Sequence, residues 1–124
     1  MIKLDGDNIY CTRGDSGMIN IQATNDDGTP YTFTAGTKVR FNVVKENDTA
    51  TRIFSKEVTL DEDAAQVSIP ITSDETTIGD YINKKVTYWY EVEINPEANG
   101  YTIIGYDEDG PKKFILLPEG ARNE

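Results

Sequence analysis

The stretch VTYWYEVEI, residues 86–94, decides the fold, because apolar and polar side chains alternate along its whole length. One set of alternate positions is apolar or aromatic: Val86, Tyr88, Tyr90, Val92 and Ile94. The other set is more polar and includes the single tryptophan: Thr87, Trp89, Glu91 and Glu93. Successive side chains of a β-strand point to opposite faces, so this pattern predicts a strand with one buried face.

Short alternating segments continue in both directions from this strand. The predicted strands are Ile9–Thr12, Met18–Thr24, Tyr31–Thr34, Thr37–Val44, Arg52–Leu60, Val67–Ile71, Tyr101–Tyr106 and Lys112–Leu117. Turns or polar loops separate them at Arg13–Gly17, Asn25–Pro30, Glu46–Thr51, Asp61–Asp63, Pro96–Gly100 and Asp107–Pro111. Turns that recur every 8 to 14 residues or so are typical of β-sandwiches and barrels. We therefore predict an all-β protein, an immunoglobulin-like antiparallel β-sandwich of about seven to eight strands. Residues 1–117 form the single domain, and residues 118–124 form a C-terminal tail.

Two irregularities in the pattern place particular elements. Lys56 falls on the apolar face of Arg52–Leu60, which indicates a bulge or an edge strand. Pro70 lies inside a predicted strand and indicates another edge, because proline has no N–H for a sheet ladder. Ser73 or Asp74 is expected to cap a single helical turn in the stretch that follows.

The charge of the chain excludes several classes of partner. The 124 residues include 22 acidic and 12 basic side chains, for a formal charge of −10. Such a chain repels nucleic-acid backbones and anionic membranes, so we expect neither as a partner. No apolar run reaches the length of a membrane span, and Met1–Asp7 lacks the pattern of a signal peptide, so we expect synthesis in the cytoplasm without that export route.

Catalytic chemistry finds few candidates in this composition. The chain has no histidine and one cysteine, Cys11, so Ser–His and Cys–His dyads and a disulfide are all excluded. We interpret Cys11 as a buried hydrophobic residue. Glu91 and Glu93 have the separation of a glycosidase pair, but any alternate pair on a strand face has it, and we interpret them as solvated. We predict a protein that is not an enzyme and has no cofactor.

Acidic turns raise the question of calcium. Asp107–Gly110 begins like an EF-hand loop, but the twelfth position of that loop is Pro118, where the loop needs a glutamate. We interpret the acidic clusters as turns that use aspartate for local hydrogen bonds, and we predict no metal site. A calcium site shared between two loops stays open.

Trp89 is the most informative single residue, and two interpretations of it stay open. Trp89 either points outward and forms a binding surface, or fills the core of the sandwich. For the first case we predict an interaction surface of Trp89, Thr87 and Glu91, together with Arg13 and Asp15 of the first turn. A carbohydrate-binding or adhesin-type β-sandwich, possibly assisted by calcium, is the alternative function for the same aromatic strand.

A series of short motifs runs along the chain in a fixed order. The motifs are the Arg-Gly-Asp-Ser-Gly turn Arg13–Gly17, Phe33, the alternating segment Gly36–Val43, Lys56–Val58, the segment Val67–Tyr81 ending in Gly-x-Tyr, Tyr88–Val92, and Phe114–Ile115. In this order they resemble the N-terminal domain of the phage baseplate upper protein, over roughly residues 10–117.

The resemblance implies a non-enzymatic, immunoglobulin-like module of a phage or prophage tail or baseplate. It implies binding to other tail or baseplate proteins through a sheet face or edge, with a homo-oligomer as a further option. It also implies a protein made in the cytoplasm of the bacterial host and located in the virion. Arg13-Gly14-Asp15 also spells an integrin-binding tripeptide, but the turn already explains its glycine and aspartate.

Overall fold

A computed structural model describes residues 2–5, 7–80, 82–95, 100–108 and 110–119 of the chain. Strands make up nearly all the regular secondary structure of these residues, which confirms the all-β prediction. The described part contains the strands β1 Ile2–Asp5, β2 Asn8–Thr12, β3 Gly17–Ile21, β4 Lys38–Lys45, β5 Asp48–Thr59, β6 Val67–Ile71, β7 Val86–Ile94, β8 Tyr101–Ile104 and β9 Lys112–Leu117. One short helix, α1 Ser73–Thr76, separates β6 from β7.

Seven of these nine strands form one large sheet in the order β1-β2-β9-β7-β4-β5, with β8 also paired to β7. Every pair is antiparallel except β2 with β9, in which Ile9 lies beside Phe114 and Thr12 beside Leu117 in parallel. The predicted antiparallel arrangement is therefore wrong for this one pair. The pair joins the second strand to the last one, and no local pattern encodes such a pairing.

The other two strands, β3 and β6, form a small sheet that packs on the large one. Its inward side chains are buried together with those of the large sheet in one hydrophobic core. The small sheet contributes Ile19, Ile21, Val67, Ile69 and Ile71, and the large sheet contributes Ile9, Cys11, Val39, Phe41, Val43, Tyr90, Val92, Ile94, Phe114 and Leu116. Burial of alternate residues on both sheets explains why alternation dominates the sequence.

β8 and β9 both pair with β7, and the segment between them interrupts what would otherwise be one continuous strand. Ile104 of β8 pairs with Val92, and Lys112 of β9 pairs with Tyr90, so only Glu91 of β7 lies between the two pairings. On the opposite side, residues 105–111 lie between Ile104 and Lys112 in sequence. The described residues of this interval, 105–108 and 110–111, leave the sheet, and we call the interval the 105–111 excursion.

Several element boundaries differ from the sequence-based ones. The predicted loop Glu46–Thr51 is mostly strand, because β4 and β5 join through Glu46 and Asn47 alone, with Lys45 paired to Asp48. Asn47 has φ 63°, a left-handed conformation that asparagine tolerates better than most residues. The predicted strand Tyr31–Thr34 is wrong, since it has only the isolated bridge of Phe33 with Ala64.

The two predicted edges are confirmed. β5 is the last strand of the large sheet, and its register with β4 shifts around Val44, so the strand is both bulged and at an edge. Pro70 lies in β6, which pairs on one side with β3. The predicted turn at Pro96–Gly100 lies largely outside the described residues.

The helical turn is confirmed, but its cap is Thr72 rather than Ser73 or Asp74. The Thr72 hydroxyl accepts from the Glu75 N–H at 3.3 Å, and the Glu75 carboxylate accepts from the Thr72 N–H at 2.9 Å. Lys56 Nζ lies 3.1 Å from Glu75 Oε1, which explains why a lysine occupies the apolar face of β5. The Lys56 side chain thus extends from the core-facing side of β5 to the Glu75 carboxylate of α1.

This capping box makes stability depend on pH. Partial burial opposes ionisation of Glu75, but hydrogen bonds from Thr72 and Lys56 outweigh it and hold its pKa below 4.5. A lowered pKa contributes stability above the unfolded-state value, and this contribution disappears as the pH falls through the folded-state pKa. We expect the free energy of unfolding of Glu75→Gln to fall less than that of the wild type between about pH 5 and pH 3. Urea unfolding at both pH values checks this. Exposed Glu46→Gln is the control, and an identical pH slope for wild type and Glu75→Gln would contradict it.

Cys11 is an inert core residue, as its sequence environment indicates. Its side chain has no solvent exposure, and burial raises the pKa of the thiol to about 11. The thiolate is the reactive form of cysteine. At about pH 7.5, Cys11 of the native protein should therefore remain unmodified during the time in which a thiol reagent labels an unfolded control. Mass spectrometry after iodoacetamide treatment, with and without urea, measures this. Rapid modification without urea would show that Cys11 is accessible.

Candidate interaction surface on the outer face of the large sheet

The outer face of the large sheet is the side that points away from β3 and β6. At its centre, Val44 of β4, Trp89 of β7 and Lys113 of β9 lie side by side in register. Thr87 and Glu91 precede and follow Trp89 on the same face. The structure therefore places Trp89 outside the core, half-buried, and brings it together with the two residues predicted to accompany it.

An aromatic pair covers the centre of this face. The ring of Trp89 lies 5.6 Å from that of Tyr106, edge to face at an interplanar angle of 63°. Tyr106 belongs to the 105–111 excursion and is 70% exposed, although it is one of the largest apolar side chains of the domain. Aromatic pairs of this geometry contribute about 0.5–1.5 kcal/mol beyond their buried area, so the excursion holds Tyr106 in place while its ring stays open to solvent.

Val44 and Ile115 also lie on this face, but they are buried, with 3% and 5% of their surface exposed. The accessible apolar part of the face therefore consists of Trp89 and Tyr106, which we call the aromatic patch. An apolar group at the centre of a sheet face with a polar surround is the usual composition of a protein-binding surface.

The neighbouring part of the outer face is polar and tightly paired. Asn42 is fully buried, and its amide Nδ2 donates to Glu91 and to Glu93. Its Oδ1 has no hydrogen-bond partner among the described residues. Arg40 binds Glu57 through its Nη2 at 2.9 Å. The two glutamates therefore both accept a hydrogen bond from one buried amide.

Arg13, predicted as an interaction residue, is engaged within the domain. Its side chain is 9% exposed, and it donates from Nε to the carbonyl of Ile78 at 3.1 Å and from Nη2 to the carbonyl of Gly79. Nη1 forms an ion pair with Glu119 at 2.6 Å. Arg13 thus joins the turn after β2 to the segment after α1 and to the end of β9. Whether it also contacts a partner stays a prediction.

Asp15 belongs to the same junction. Its carbonyl lies 2.7 Å from the hydroxyl of Thr76, a fully buried threonine of α1. Its N–H donates to the carbonyl of Thr12 at 3.0 Å, which closes the turn. The Arg-Gly-Asp-Ser-Gly turn and the segment Thr76–Gly79 therefore contact each other. Two motifs that are far apart in sequence form one structural joint.

The acidic turns do not assemble into a metal centre in the part of the chain that the structure describes. No group of three or more candidate ligands from His, Cys, Asp and Glu converges there. Asp107, which begins the EF-hand-like sequence, forms an ion pair with Lys112 at 2.8 Å, and the turn closes at Gly110 through paired backbone hydrogen bonds. Among the described helices, none has the length and apolarity to cross a membrane.

Sequence reasoning found the tryptophan of this surface but missed its neighbours. Val44 and Ile115 occupy strand positions whose side chains point to the outer face, and the alternating pattern of the sequence indicates this direction. Tyr106 carries no such signal, because its position over Trp89 depends on the excursion between β8 and β9. Only the three-dimensional arrangement brings these residues together.

The fold defines a class of protein: a β-domain of two packed sheets. The family model of the BppU N-terminal domain, the N-terminal domain of the baseplate upper protein, matches residues 3–88. The chain belongs to this family, as its motif order indicates. The match covers every motif up to the start of β7. No curated protein matches the chain.

Proposed function

We propose that this protein is a non-enzymatic structural module of a phage or prophage tail or baseplate, located in the virion, that docks other tail proteins through its outer face. The observation that carries the proposal is the exposed Trp89–Tyr106 pair at the centre of the largest sheet. Family membership supports the setting in the baseplate. The geometry supports the mode of action, since the aromatic patch has no layer of described secondary structure above it.

The strand order supports the immunoglobulin-like part of the proposal. Along the large sheet, β9, β7, β4 and β5 have the order of the G, F, C and C′ strands of a variable-type immunoglobulin domain. The facing pair β3 and β6 corresponds to strands B and E. In that mapping Trp89 lies on strand F and points outward, so it is not the core tryptophan of antibody domains.

The composition of the outer face indicates what the partner offers. Aromatic residues are enriched in the energetic centres of interfaces, and Trp and Tyr dominate them. Glu91 and Glu93 border the patch, and the whole chain carries a charge of −10. We infer a partner surface with an apolar pocket for the aromatic pair and basic residues around it.

The test is binding to purified tail proteins encoded beside this chain, measured by size-exclusion chromatography with light scattering. Trp89→Ala should weaken the complex by at least about 2 kcal/mol, or about 30-fold, if Trp89 is a hot spot. Met18→Ala is the matched control, because Met18 is a 57% exposed apolar side chain on the other sheet. It should leave the affinity unchanged.

Other outcomes separate the alternatives. A homodimer that Trp89→Ala dissociates would assign the same face to self-association. Binding on a glycan array that Trp89→Ala abolishes would favour the carbohydrate-binding alternative. Equal loss of tail-protein binding in Trp89→Ala and Met18→Ala, or no binding to any tail protein, would contradict docking through the outer face.

A further inference from the structure

A cleft of about 700 Å³ opens between the two sheets, away from the aromatic patch except at Tyr106. One wall is the run of consecutive residues 20–24, and the opposite wall is the run 102–107. Tyr90 and Lys112 also line it. Side chains of a strand alternate between faces, so a wall made of consecutive residues is the edge of a strand. The cleft therefore lies between the end of β3 with the residues that follow it, 22–24, and the end of β8 with the residues that follow it, 105–107.

The hydrogen bonds next to β3 show which backbone groups face the cleft. The carbonyl of Ala23 accepts from Tyr31 at 2.9 Å, and the N–H of Asn25 donates to Thr29 at 2.8 Å. Backbone polar groups of successive residues in an extended chain point to opposite sides. The N–H and C=O groups of Gln22 and Thr24 therefore point away from these partners, into the cleft.

Pro70 independently indicates the same direction for the backbone groups of this segment. It lies opposite Met18 in the ladder of β3 with β6 and has no N–H to donate. Met18 and Pro70 are therefore a non-hydrogen-bonded pair of the antiparallel ladder. Because hydrogen-bonded and non-hydrogen-bonded pairs alternate, Asn20 and Ser68 are also a non-hydrogen-bonded pair. Asn20, Gln22 and Thr24 then present backbone groups on one edge at strand spacing. No backbone hydrogen bond joins Gln22 or Thr24 to another described residue on that side.

The facing edge is open because the large sheet ends early at this corner. β2 begins at Asn8 and pairs with β9 from Phe114 onward, so it does not extend beside β8. Among the described strands, β8 pairs with β7 alone. A space with unpaired strand edges on both sides has the form of a place for one more strand.

Charge specifies one side chain of the occupant. Lys112 Nζ lies 2.8 Å from Asp107 Oδ2 and 3.7 Å from Asp7 Oδ2, so two carboxylates share one ammonium group at the cleft. The side chains of Asp107 and Asp7 remain 49% and 76% exposed. The exposed carboxylate of Asp7 therefore gives this end of the cleft a negative charge, which an incoming lysine or arginine would complement.

We propose that the cleft receives an extended segment of another polypeptide, which adds to the backbone edge of Gln22 and Thr24, just after β3, and places a basic side chain near Asp7. Backbone hydrogen bonds supply the affinity in this mode, and alternate side chains supply the specificity. The cleft shares Tyr106 with the aromatic patch, but Trp89 does not line it, so the proposal does not depend on Trp89. Variants at Trp89 and at Gln22 therefore fail independently.

The first experiment titrates the isotopically labelled domain with synthetic peptides and records amide NMR spectra. The probes are two peptides of roughly eight residues, a typical strand length, one alternating valine with lysine and one alternating valine with glutamate. The lysine peptide should shift the amide signals of Gln22 and Thr24 and slow their hydrogen exchange. The glutamate peptide should bind at least about tenfold more weakly, because it lacks charge complementarity with the cleft.

A matched pair of variants separates backbone pairing from side-chain recognition. Gln22→Pro and Gln22→Val both remove the hydrogen bond of Gln22 with Gln66, but only proline removes the N–H that faces the cleft. Gln22→Pro should weaken binding of the lysine peptide by about tenfold, the scale of one to two lost backbone hydrogen bonds, and Gln22→Val should not.

Two results would overturn the proposal. One is equal weakening by both variants, which indicates side-chain recognition of a ligand such as a saccharide. The other is a lysine peptide that leaves the amides of Gln22 and Thr24 unchanged in the wild-type domain. The second measurement needs no variant, so the proposal stays testable even if proline at position 22 prevents folding.

Discussion

Replacing Arg13 with alanine should lower the free energy of unfolding by about 2–4 kcal/mol, because the change removes charged hydrogen bonds at a buried joint. Arg13 is 9% exposed, and its guanidinium binds the carbonyls of Ile78 and Gly79 and the carboxylate of Glu119. Alanine leaves those carbonyls without their donor and removes the side-chain link between the turn after β2 and the segment after α1, while the N–H of residue 13 still donates to Leu117. Urea unfolding followed by circular dichroism measures the loss.

Two further variants define what Arg13 contributes. Arg13→Lys retains the charge but cannot donate in three directions from a planar group, so it should recover less than half of the loss. Glu119→Gln removes the charge of the ion pair and should cost about 1 kcal/mol or less, as a partly exposed pair does. If Arg13→Ala is as stable as the wild type, Arg13 does not stabilise the contact between these segments. Partner binding would then be the better interpretation of this residue.

Phe41→Ala should cost about 3–5 kcal/mol, the range for removing a large aromatic side chain from a core. Phe41 has no solvent exposure, and its ring centroid lies 5.5 Å from that of Tyr90 and 6.3 Å from those of Phe54 and Phe114. It therefore joins β4, β5, β7 and β9 in one cluster. Thermal and urea unfolding give the size of the effect.

Trp89→Ala is the informative comparison for this core variant. Trp89 contacts Tyr106 on the outer face and is half-buried, so its removal should cost clearly less stability than that of Phe41. A tryptophan that costs little stability but much binding is what a docking surface requires. If Trp89→Ala and Phe41→Ala destabilise the domain equally, Trp89 is a structural residue and the proposed surface loses its centre.

The sequence predicts the elements of this fold well wherever alternation is strong. The alternation of Val86–Ile94 predicts the strand and its buried face, because strand geometry ties both to a period of two residues. The direction of Trp89 stayed open at the level of the sequence, and the structure places it on the outer face. Pro70 and Lys56 likewise predict edges, since each breaks a rule that holds only in the middle of a sheet. These are local constraints, and a single sequence contains them.

The parts that the sequence does not predict depend on contacts between distant segments. The parallel pairing of β2 with β9 joins the two ends of the domain, and nothing in either strand encodes the direction of its neighbour. The sequence predicts Arg13 to be a turn residue available for binding, yet its side chain is hydrogen-bonded to the carbonyls of Ile78 and Gly79. The cleft has no motif at all, because it consists of backbone edges rather than of characteristic side chains.

The central claim is that the outer face, with Trp89 at its centre, is covered by another protein in the virion. Hydroxyl-radical footprinting of Trp89 and Tyr106, in the isolated domain and in purified tails, tests it most directly. The account predicts that both side chains are oxidised in the isolated domain and protected several-fold in the tail, while Met18 or another residue outside the face changes less. Equal oxidation of Trp89 and Tyr106 in both samples would contradict it.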